Sequence, residues 1–106
     1  MKTINNLEEI TKTLEESKAV LLYFSGNSCS VCNVLKPKIQ NSLEKNFSLM
    51  KSILIEDNLE ISTHFTVFSN PTILVFFEGK EFKRYGRNIS ISLFENDIER
   101  LYKMVF

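Results

Sequence analysis

The chain has 106 residues, thirteen Lys and Arg against thirteen Asp and Glu, and a hydrophobic fraction of 43%. A second core would need roughly another hundred residues, so one domain spanning residues 1–106 is expected, and the apolar content excludes a disordered chain. The balanced charge leaves no net field to recruit a nucleic-acid backbone or an anionic membrane, and neither is an expected partner.

Met1 to Asn6 lead into Leu7-Glu8-Glu9-Ile10 without the apolar stretch of a secretory signal. Ile4, Leu7, Ile10 and Leu14 recur at helical spacing among Glu, Lys and Thr, which predicts an amphipathic helix from about Asn6 to Ser17. The run Ala19 to Phe24 is apolar on both parities, as a central strand covered on both faces requires. This run and Ile73 to Phe77 are the longest apolar stretches, far short of a membrane span, and a cytoplasmic, reducing location is the expectation.

After the polar loop Ser25 to Ser28, Cys32, Leu35, Ile39 and Leu43 describe a second helical stripe to about Asn46, with a bend expected at Pro37, which lacks an N–H. Leu49 to Ile55 reads as a second central strand ended by Glu56-Asp57-Asn58, and Leu59 to Phe65 as a short helix. Pro71 precedes the strand Thr72 to Phe77, which Glu78-Gly79 turns back into Lys80 to Tyr85 as a hairpin. The basic stretch Lys80 to Arg87, interrupted by Glu81 and aromatic residues, reads as a solvated strand. Ser92 with Glu95 forms an expected capping box for a last helix, whose apolar face is Phe94, Ile98, Leu101, Tyr102 and Val105. This order implies an α/β fold, a mixed sheet with helices on both faces.

The chain's two cysteines lie in Cys29-Ser30-Val31-Cys32, where a strand and loop feed a helix. Unpaired N–H groups and the macrodipole favour an anion at such a place, so the Cys29 thiol should ionise below its free value of about 8.5 and act as nucleophile. Cys32, on the apolar stripe, should be less exposed and act second. The i, i+3 spacing lets the pair open and close as a disulfide without refolding. Two other readings stay open. The pair could be half of a zinc site, although a structural site needs four ligands and only His64 remains to supply nitrogen, or both thiols could be inert core fillers. His64 is assigned no chemistry, and neither a cofactor nor a metal is expected.

Cys29, Cys32 and Pro37, five residues past the second cysteine, together with Asn70-Pro71-Thr72 leading into a hydrophobic strand, resemble the thioredoxin family. The resemblance covers nearly the whole chain. It implies a thioredoxin-like fold and thiol–disulfide exchange on protein disulfide substrates, with a thioredoxin-reductase-like donor restoring the dithiol and a monomer as the working form. It further implies a cis Pro71 beside the thiols and an Asn70 backbone that pairs with an extended substrate, with Ser30 and Val31 forming part of the substrate surface.

Three departures accompany the likeness. The family's Trp-Cys-Gly-Pro-Cys-Lys stretch reads Ser28-Cys29-Ser30-Val31-Cys32-Asn33 here, and Asn70 stands where an apolar residue is common. Tyr23 stands where the family carries a buried aspartate, and a phenol with pKa near 10 is a poor base, which leads to an expectation of slower or differently routed deprotonation of Cys32. Glu56 is a substitute base that the sequence does not place near the thiols. The alternative function is an adaptor that docks one partner with little disulfide reductase activity.

Overall fold

The chain forms β1 (Lys2–Thr3), α1 (Leu7–Glu16), β2 (Ala19–Ser25), α2 (Ser30–Asn46), β3 (Lys51–Glu56), α3 (Leu59–His64), β4 (Thr72–Phe77), β5 (Lys80–Tyr85) and α4 (Ile91–Val105). The computed structural model describes residues 1–106. The strands make one sheet in the order β1-β3-β2-β4-β5, with β1 and β2 parallel to β3 and β4 antiparallel to β2 and β5. This is the expected mixed α/β sheet.

Strand alternation divides the core in two. Leu21 and Tyr23 of β2 and Ile73 and Val75 of β4 meet α2 and α4 through Cys32, Leu35, Ile39, Phe94 and Ile98. Val20, Leu22 and Phe24, with Leu74 and Phe76, face α1 and α3 through Ile10, Leu14 and Ile61. Every residue of β2 and β4 is buried, because both faces of these strands carry helices.

Strand topology also gathers the loops. The C-terminal ends of β2 and β3, the N-terminal end of β4 and the C-terminal end of β5 lie at one edge of the sheet, since β4 runs against β2 and β5 against β4. Gly26–Ser28, Asp57, Asn70 and the segment after Tyr85 therefore converge.

Several local expectations are corrected. Ile4 belongs to the sheet edge beside the two-residue β1, its N–H donating to the Leu54 carbonyl at 3.2 Å, and its three-residue spacing from Leu7 only mimics a helix. Asn6 instead caps α1, its side chain accepting the Glu9 N–H at 2.9 Å. β3 begins at Lys51, since Leu49 and Met50 lie in the turn that closes Met50 N–H onto the Phe47 carbonyl. The cap of α4 is Ser90, which accepts the Leu93 N–H, and Ser92 lies inside the helix. Glu95, five residues past that cap, is out of the capping-box position, and one of its oxygens instead accepts from Ser42 Oγ at 2.6 Å and Asn46 Nδ2 at 2.8 Å, fastening α4 to α2. The helix expected to about Asn46 is present, α2 running Ser30–Asn46 with the exposed Pro37 inside it.

The β4–β5 turn is the expected two-residue loop, with both Glu78 (φ 51) and Gly79 (φ 80) left-handed, as a tight hairpin of this hand requires. β5 is solvated as expected, yet its Arg84 is anchored. It pairs with Glu81, whose carboxyl it holds below the ordinary value, and donates to the carbonyls of Phe65 and Thr66, fixing the segment that leads to Pro71.

Candidate active site

The site begins where β2 ends. Gly26 is buried, and a Cβ there would lie 2.8 Å from Asn70 Nδ2 and 2.9 Å from Asp57 Oδ1, so glycine lets these side chains close over the loop. Asp57 Oδ2 accepts the Asn27 N–H at 2.9 Å and holds the loop from the side of β3. The Cys29 N–H then turns onto the Gly26 carbonyl at 3.3 Å, and α2 starts.

Cys29 is the N-cap of α2, and its Sγ accepts the Cys32 N–H at 3.2 Å. The sulfur therefore sits against the unpaired donors of a helix start, where a thiolate is stabilised. Cys29 is half-buried, whereas Cys32 is 1% exposed, packed with Leu35 and Ile39. The two are joined as a disulfide with Cα atoms 5.3 Å apart.

Beneath the pair lies Tyr23, fully buried, its hydroxyl donating to the Cys32 carbonyl at 2.8 Å. Burial pushes its pKa up to about 12, so the phenol stays protonated at neutral pH and serves as a donor to the helix backbone. A folded-state pKa above the ordinary 10.0 means that the native protein holds this proton more tightly than the unfolded chain. Its contribution, roughly 2–3 kcal/mol at about 1.4 kcal/mol per pKa unit, is full at neutral pH and lost as pH rises from 10 towards 12. Tyr23→Phe should therefore flatten the alkaline fall in unfolding free energy. Urea curves at pH 8 and pH 11 check this, and equal losses in both proteins would refute it.

The Asn70–Pro71 bond is cis, as expected, and Pro71 is buried. Asn70 and Cys29 line one open hollow of about 460 Å³, together with Ser28, Asp57 and Arg87. Ser30 and Val31 instead border a neighbouring groove of about 340 Å³ floored by Val34, Leu35 and Ile89. The four expected substrate residues thus divide, Asn70 lining the hollow with Cys29, Ser30 and Val31 the groove, and the buried Pro71 neither.

Arg87 lines both depressions, and its Nη2 donates to the Asn70 carbonyl at 3.3 Å. Sequence reasoning missed it by merging it with the solvated β5. The available signal was a cation just past the end of a strand that finishes at the same sheet edge as the thiols. Glu56 is exposed and does not line the Cys29 hollow, whereas its neighbour Asp57 does. His64 ends α3 with its ring against Phe65, apart from both depressions.

Comparison with known proteins agrees with this geometry. A sequence model of the family described as Thioredoxin matches residues 2–100. The chain is 27% identical over 105 residues to the thioredoxin-like protein YdfQ of Bacillus subtilis, covering 98% of this chain and 94% of that one. It is 32% identical over 82 residues to a thioredoxin of Mycoplasmoides gallisepticum, covering 76% and 81%. The solved structure of oxidised mitochondrial thioredoxin 3 from Saccharomyces cerevisiae superposes with a TM-score of 0.82 at 16% identity, covering 94% of each chain, a likeness of fold.

Proposed function

The chain belongs to the thioredoxin family, and from that premise we propose that it reduces disulfides of protein substrates through Cys29 and Cys32. Supporting this most directly is the unequal pair, a half-buried Cys29 sulfur at the start of α2 above a Cys32 that is 1% exposed.

In this reading the Cys29 thiolate attacks one sulfur of a substrate disulfide and expels the other as a thiolate. The Cys32 thiolate then attacks Cys29 Sγ, releasing the second substrate sulfur and closing the Cys29–Cys32 disulfide. Two electrons pass to the substrate, and the two protons lost by the dithiol end on its thiols. A thioredoxin-reductase-like donor then returns two electrons. The working unit is proposed as a monomer of one domain across residues 1–106 acting in the cytoplasm, and no helix is long and apolar enough to cross a membrane.

Asn70, backed by the buried cis Pro71, would border the bound segment on one side of the thiols, and Ser30 and Val31 on the other. Insulin reduction followed by turbidity under excess dithiothreitol tests the proposal. Turnover well above that of the double variant Cys29→Ser/Cys32→Ser is expected. Equal rates would sink it in favour of the adaptor.

A further inference from the structure

We propose that Arg87 selects disulfide substrates carrying a carboxylate beside the reactive cysteine, and that pairing with this carboxylate frees the Asn70 carbonyl for the substrate backbone. This rests on the oxidoreductase reading above and names the substrate class of the same site.

The groove that begins at Ser30, one residue past Cys29, is lined by Val31, Val34, Leu35, Ile89 and Ile91, with two cations, Lys38 and Arg87, and no acidic residue. Neither cation has a carboxylate within ion-pair distance. Arg84, three residues before Arg87, is by contrast committed to Glu81 at 2.7 Å. Uncommitted charge over an apolar floor fits a segment that places a hydrophobic side chain in the groove and a carboxylate at its rim.

The hydrogen bond Arg87 does make is a weak one. Its 3.3 Å to a neutral carbonyl is longer than the usual N–H···O distance of about 2.9–3.0 Å. A carboxylate offers the guanidinium fork two charge-assisted bonds instead. Release of the Asn70 carbonyl then exposes an acceptor next to Cys29, available to an extended chain in β-fashion. Charge also sets a direction, because Asp57 lines the Cys29 hollow and repels a substrate acid there, which leaves the rim shared with the groove as the favoured side.

Two synthetic peptides differing only in the residues flanking a single cysteine, Glu in one and Lys in the other, test this. Each is prepared as a self-quenched fluorescent disulfide homodimer and mixed with reduced protein in single turnover. The readout is the ratio of the two rate constants, from which any change in Cys29 nucleophilicity cancels. The wild type should prefer the Glu peptide by about tenfold at low salt, with the preference shrinking above about 0.1 M, where the Debye length falls to about 10 Å. Arg87→Lys should keep most of the preference, Arg87→Ala should cut it to the small share that Lys38 supplies, and Arg87→Glu should lower it further. The same ratio in wild type and Arg87→Ala overturns the role of Arg87. Wild-type rates no faster than those of Cys29→Ser with both peptides overturn the oxidoreductase reading, and this inference with it.

Discussion

Cys32→Ser is expected to hold a disulfide substrate as a stable covalent adduct on Cys29, while Cys29→Ser captures none and both lose turnover to the uncatalysed level. The asymmetry follows from burial and from the start of α2. Cys29 is half-buried and lines an open hollow, so a substrate sulfur can reach it, and the Cys32 N–H at 3.2 Å together with the helix dipole favours its thiolate. Cys32 is 1% exposed among Leu35, Ile39 and Tyr23, where an incoming protein disulfide has no room to approach in line. Its one accessible sulfur is that of Cys29, with the Cα atoms 5.3 Å apart. Without Cys32 the adduct lacks its internal nucleophile and persists on the minutes-to-hours scale of uncatalysed exchange. Intact-mass spectrometry after mixing each reduced variant with insulin reads the outcome. An adduct of equal yield on Cys29→Ser would reverse the assignment of roles.

The parts of this site that were legible in the sequence are those dictated by a local physical demand. Ala19–Phe24 is legible as a central strand because burial on both faces leaves no polar parity, and Thr72–Phe77 as a strand because it is a run of β-branched and aromatic residues ended by Glu78-Gly79. Cys29 was placed at a helix start because the stripe Cys32, Leu35, Ile39 begins three residues later. Features that depend on pairing across the sheet were not legible. β1 has two exposed residues and no alternation of its own, and it exists because β3 offers an edge. Ser90 and Ser92 are equally good caps by residue type, and only the folded chain shows that Ser90 is the one whose side chain accepts the Leu93 N–H. Arg87 acquires meaning only through the Asn70 carbonyl, seventeen residues earlier in the chain, and the Tyr23 phenol only through the Cys32 carbonyl.

Phe94→Ala should cost about 3–5 kcal/mol, the range for removing a buried aromatic ring, and this is the largest stability loss expected of any single substitution considered. Phe94 is fully buried on α4 and meets Phe47 and Tyr85 edge-on, with ring centroids 6.4 and 5.4 Å away. It thus joins the end of α2, where Phe47 sits, to the end of β5, where Tyr85 sits, inside the cluster that also encloses Cys32. A cavity here removes contacts from three elements at once, and because single domains are stable by only about 5–15 kcal/mol the variant should lie near the limit of folding. The adjacent Leu93, 58% exposed, supplies the control, since Leu93→Ala should fall within about 0.5 kcal/mol of wild type. Urea unfolding of the oxidised proteins measures both. The contrast turns on which face of α4 meets the sheet, so similar losses at Leu93 and Phe94 would mean that this helix is rotated about its axis.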